Sequence, residues 1–177
     1  LERRAAIAGR ADPYGDIAKP PPNQWRGFYP AAETHSGNTA ARMDQVIIDQ
    51  KLESLRRCVR RLHERCPDTP GLLSEDLDAQ DIVSLNLTRA IQLCVDIAAH
   101  WLADQDDLGA PQTMGETFSL LAQGDKIPQE LADRLRGAVG FRNIVVHNYE
   151  AVNWNIVFQL CHEHLDDFRD FARAFSA

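Results

Sequence analysis

The stretch Gly140-Phe141-Arg142-Asn143-Ile144-Val145-Val146-His147-Asn148-Tyr149 gathers a guanidinium, an amide, an imidazole and a phenol within eight residues. A guanidinium forks onto a phosphate through paired N–H donors. An imidazole of near-neutral pKa moves protons at a ribose 2′-hydroxyl or a leaving oxygen. Arg142 and His147 therefore fit phosphodiester chemistry. They are five apart and share no face of an ideal helix, so fraying near His147 is expected to bring them to one side. The residues alone also allow a plainer reading, a capped helix end whose cations suit the helix dipole.

Two residues upstream could support such a site. Asp96 falls on an apolar helix face, and buried carboxylates are rarely left unpaired, so it is expected to hold Arg142 or His147 or to pair with another buried donor. His100 could approach the cleft from the neighbouring helix or sit half buried beside Trp101. His162 and His164 are two apart and point to different faces, which argues against a metal pair. Cys58, Cys66, Cys94 and Cys161 stand singly with no C-x-x-C. They read as reduced core thiols of a cytoplasmic protein, and no metal site is expected.

Helical periodicity must position these groups. Ile48, Leu52, Leu55, Val59 and Leu62 alternate spacings of four and three, predicting a helix from Met43 to Cys66. Arg56, Arg57, Arg60, Arg61 and Arg65 line the rest, as a solvated face or an RNA-facing patch. Pro67-Asp68-Thr69-Pro70-Gly71 stops this helix. A second helix is expected from Glu75 to Gln105, ending by Leu108-Gly109 because Asp104, Asp106 and Asp107 oppose its dipole. Thr113 with Glu116 signals a capping box for a short helix through Ala122, which Gly124-Asp125 breaks.

Pro128 opens a fourth helix, Gln129 to Val146. Gly137 and Gly140 interrupt it, each at about 1 kcal/mol against alanine, so another backbone or a ligand is expected to come close there. Asn153 caps a last helix carrying Val157, Leu160 or Cys161, His164, Phe168, Phe171 and Phe175. With Trp154, that aromatic stripe suits a core or a dimer interface. Strand alternation is scarce. The fold class is all-α, an up-and-down bundle of four long helices plus a short one.

The 177 residues carry 19 Lys+Arg against 26 Asp+Glu, a formal charge of −7, which excludes broad electrostatic capture of nucleic acid. Residues 1–42 hold six basic and four acidic side chains (+2), five of nine prolines and no apolar period. They are expected to be a flexible or peripheral leader, upstream of or foreign to a functional protein that opens near Met43. Residues 43–177, with thirteen basic and twenty-two acidic side chains (−9), form the domain. Secretory and transit signals fit poorly, and uninterrupted apolar runs fall short of the roughly 20 residues that span a bilayer.

Arg142-Asn143-x-x-x-His147 resembles the R-polar-x-x-x-H signature of HEPN-domain ribonucleases, and Tyr149 extends it to the R-x-x-x-x-H-x-Y form of the HepT toxins. Ile127-Pro128-x-Glu130-Leu131-Ala132 and Asp96-Ile97-Ala98-x-His100 are similar to that family as well. The resemblance spans Met43 to Ala177. It implies a helical homodimer whose two motifs form a composite cleft, acting as a toxin and a metal-independent endoribonuclease without a cofactor of its own. On that resemblance Arg142 holds the scissile phosphate, His147 is the general acid/base and Asn143 orients one of them. The implied partner is a minimal nucleotidyltransferase, MntA, which uses ATP and Mg²⁺ to attach AMP to Tyr149. A helical binding partner or regulatory subunit of a nucleotidyltransferase, without catalysis, and a plain dimerisation module are the alternatives.

Overall fold

The computed structural model describes residues 37–176, with side chains from 45 onward; the proposed leader lies outside the described residues over positions 1–36. All regular structure among the described residues is helical. The first helix, α1 (Gly37–Arg65), begins six residues before Met43. Its predicted stripe is the buried one: Ile48, Leu52, Leu55, Val59 and Leu62 all lie in the core.

The run after α1 stops that helix and also starts another. Thr69 Oγ1 accepts from the Leu72 amide at 3.4 Å and Pro70 occupies the first turn, which suits its missing N–H, so a short α2 forms over Pro70–Glu75. The sequence reading missed it. Helix α3 (Leu77–Leu102) follows, capped by Asp76, whose Oδ1 accepts from the Ala79 amide at 3.0 Å. It ends three residues before the predicted Gln105, ahead of the aspartates that its C-terminal dipole disfavours. Val83, Leu87, Ile91, Cys94, Ile97 and Ala98 are buried along it, and it packs on α2, α4, α5 and α7. By length and composition α3 could also cross a bilayer, which run counting overlooked because polar residues interrupt it. Its apolar face is covered by the bundle.

The predicted capping box opens α4 (Met114–Gln123): Thr113 Oγ1 accepts from the Glu116 amide at 3.1 Å. Glu116 reaches one residue further back than expected, accepting from the Gln112 amide at 2.6 Å. Gly124 then closes the turn, where a Cβ would stand 2.7 Å from Leu108 Cδ1. Helix α5 (Gln129–His147) packs chiefly on α4 and α3. The expected close approach at Gly137 and Gly140 is absent among the described residues, since a Cβ built on either meets nothing within 4 Å. Both face outward, and no contact among the described residues offsets their cost.

A 3-10 turn (Tyr149–Ala151) links α5 to α6 (Trp154–Glu163), whose cap Asn153 Oδ1 accepts from the Asn155 amide at 3.0 Å. The single last helix of the sequence reading is two. His164, at φ −122° and ψ 8°, leaves helical geometry, and α7 (Leu165–Phe175) resumes after it. Across the break Cys161 and Leu165 lie in the core while His164 stays half exposed beside Asp167. Phe168, Phe171 and Phe175 are core residues, Phe171 meeting Phe118 edge-on at 6.1 Å.

Candidate active site

Helix α5 delivers the motif. It stays helical through His147, and only Asn148, at φ −153° and ψ 70°, leaves the helix, its amide donating to the Ile144 carbonyl at 2.8 Å. The expected fraying therefore does not occur. At 100° per residue, Arg142 and His147 diverge by about 140° around the axis and sit about 7.5 Å apart along it. One chain does not converge them on one phosphate.

Arg142 is half buried. Its Nη1 donates to Asn143 Oδ1 at 3.4 Å, and its Nε is buried with no hydrogen-bond partner among the described residues. The hydroxyl of Thr88 on α3 is in the same condition. Unspent buried donors are uncommon and offer hydrogen bonds to a ligand. Asn143 and His147 are exposed, and so are Ile144 and Val146 between them, at 46% and 49%. The end of α5 is thus an apolar surface edged by catalytic-type groups.

Tyr149 points back onto α3. Its hydroxyl donates to Asp81 Oδ1 at 3.0 Å, and its ring meets Trp154 edge-on at 5.7 Å. Burial, and then donation to the Asp81 carboxylate, push the phenol above its ordinary range, with the nearby Ser84 hydroxyl pulling the other way. Sequence reasoning did not find Asp81, which stands 68 residues from its partner and carries no local signal.

The supporting candidates lie elsewhere within the chain. Asp96 binds Lys51 Nζ at 3.3 Å and accepts from Gln92 Nε2 at 2.8 Å, so its donors are these and not Arg142 or His147. It is also more exposed than an apolar-face position suggests. His100 is half buried in the last turn of α3. Since Tyr149 bonds Asp81, these two residues lie 15 and 19 positions further along α3, about 22 and 28 Å at 1.5 Å per residue. No group of three or more His, Cys, Asp or Glu suited to a metal ion occurs among the described residues.

Comparison with known proteins agrees with this architecture. A family model described as ribonuclease HepT-like matches residues 48–175. The mRNA nuclease HepT of Shewanella oneidensis is 40% identical over 129 residues, covering 73% of this chain and 95% of that protein. Two solved structures superpose with TM-score 0.67. One, at 40% identity over 72% of this chain and 95% of its own, is a tri-AMPylated Shewanella oneidensis HEPN toxin in complex with MNT antitoxin. The other, at 39% identity over 72% and 96%, is a toxin–antitoxin complex with AMP-PNP. The fold and motif define a helical HEPN-type nuclease class. The chain belongs to the HepT-like ribonuclease family, and as such is an endoribonuclease.

Proposed function

We infer that the chain is the toxin of a type VII HEPN/MNT toxin–antitoxin pair, a cytoplasmic homodimer that cuts RNA without a metal and is silenced by AMP transfer to Tyr149. The observation that carries this reading is the end of α5, where Arg142 with an unspent Nε, the exposed His147 and a surface tyrosine surround two exposed apolar side chains. The divergence of Arg142 and His147 within one chain supports a cleft completed by a second copy docked on Ile144 and Val146.

In that cleft the Arg142 guanidinium forks onto the scissile phosphate, and Asn143, already bonded to it, sets its direction. The His147 imidazole takes the proton of the attacking RNA 2′-hydroxyl, and His147 of the second copy is available to protonate the leaving oxygen. The nucleophile belongs to the substrate, so no metal or cofactor is required of this chain. A MntA-like nucleotidyltransferase, using ATP and Mg²⁺, supplies the AMP. Placed two residues past His147, it brings negative charge and bulk to a cleft that must admit a phosphate.

His147→Ala tests the assignment. It should lower RNA cleavage by about 10²- to 10⁴-fold and relieve growth inhibition, with helical CD and dimer mass unchanged because the side chain is exposed. Cleavage persisting in the purified variant would overturn the catalytic role.

A further inference from the structure

At the C-terminal end of α1, a cavity of about 350 Å³ opens onto the α6–α7 break, and both Cys66 and Cys161 line it. The two residues are 95 positions apart in sequence, yet both are buried and line this one cavity. His162 adjoins them. Its ring stacks at 4.2 Å on Phe158, and its Nε2 lies 3.1 Å from the carbonyl oxygen of Pro67, the residue after Cys66. A carbonyl can only accept, so Nε2 carries the proton in the neutral ring and Nδ1 keeps the lone pair. That nitrogen can take up a proton.

The surroundings split the two thiols. Bonding to Cys161 and the nearby His162 bring Cys66 down to about 7 against its own burial and Asp68, while Cys161 is pushed up by its bond to Cys66 and by burial. One sulfur is poised as a nucleophile and the other is held protonated. The second pair of thiols has none of this: Cys58 and Cys94 are buried in the core, do not line this cavity, and both are raised by burial.

We propose that Cys66 and Cys161 are a reversible thiol–disulfide pair, closed by exchange with a small organic disulfide entering the cavity. The Cys66 thiolate attacks one sulfur of the incoming disulfide, forming a mixed disulfide and expelling one thiolate. Cys161 then gives its proton to His162 Nδ1 and attacks the Cys66 sulfur. The second small thiolate leaves and takes up that proton. Two protein thiols are oxidised and one small disulfide is reduced to two thiols. The rim of the cavity adds a preference. Asp68, Glu163 and Asp166 outnumber Arg169, so a cationic disulfide is favoured over an anionic one. The bond ties α6 covalently to the end of α1.

The test uses the full chain with cystamine as the cationic probe and oxidised glutathione as the anionic one. Intact mass should fall by two hydrogens, peptide mapping should join Cys66 to Cys161, and dithiothreitol should reverse both. Closure should be faster with cystamine. Cys161→Ser should trap one cystamine half at Cys66, and Cys66→Ser should trap none. His162→Ala should slow closure at least tenfold at pH 7 and progressively less as pH rises and hydroxide replaces the imidazole as the base for Cys161. Wild-type protein that keeps four free thiols, or that couples its cysteines without preference, would overturn the proposal, and that readout needs no variant to fold.

Discussion

Attaching AMP to Tyr149 must break a contact the chain makes with itself. The phenol donates to Asp81 at 3.0 Å; once esterified, it has no proton to donate and carries a phosphodiester of charge −1 instead. Losing one solvent-accessible hydrogen bond costs about 1 kcal/mol. A phosphate and a carboxylate about 5 Å apart in a water-like dielectric repel by about 0.8 kcal/mol. The combined loss is about 1.8 kcal/mol, or about a 20-fold rise in opening of the 3-10 turn. Hydrogen exchange read by mass spectrometry over residues 148–156 reports this directly. The Ala151 and Val152 amides are protected only by the Asn148 and Tyr149 carbonyls, at 3.0 and 3.1 Å. In Asp81→Asn the unmodified tyrosine keeps an acceptor but the repulsion is gone, so modification should speed exchange only about fivefold. Equal exchange with and without AMP, or equal acceleration in Asp81→Asn, would refute the reasoning.

Cleavage should be unchanged by EDTA if the nucleophile is the substrate's own hydroxyl, and loss of activity restored by a divalent ion would count against that. Phe118→Ala removes a fully buried ring and its edge contact with Phe171, and should cost about 3–5 kcal/mol in urea denaturation. A loss below about 1 kcal/mol would contradict the packing. The Tyr149 phenol is raised in the folded state, so its share of stability is present below the ordinary phenol range near pH 10. It should be lost as pH climbs from there through the folded pKa. Tyr149→Phe should flatten that alkaline decline in a pH series of denaturation midpoints; an identical decline would remove the phenol as its cause.

The stripe of α1 and the Thr113 and Asn153 caps could be read from sequence because period and capping chemistry are local, whereas on α3 the expected Leu85 is exposed and Val83 and Leu87 take the core instead. What failed to show was decided over longer range or by competing local signals. Thr69-Pro70 is both a stop and a start, so α2 vanished into the stop. The break at His164 carries no glycine or proline to mark it. Asp96 looked buried until Lys51, 45 residues earlier, came to meet it. The motif residues could be named from their order, yet their divergence around α5 depends on the helix surviving to His147, which no spacing rule settles. Asp81 was invisible for the same reason as Lys51: the pairing exists only once α5 returns along α3.

The divergence of Arg142 from His147 bears on dose. If the cleft is divided between two copies, as proposed above, the number of working sites rises with the square of chain concentration until dimers saturate. Chains emerging singly from the ribosome would then cut almost nothing, and a nucleotidyltransferase of the proposed kind would have an interval in which to reach each tyrosine before its chain finds another.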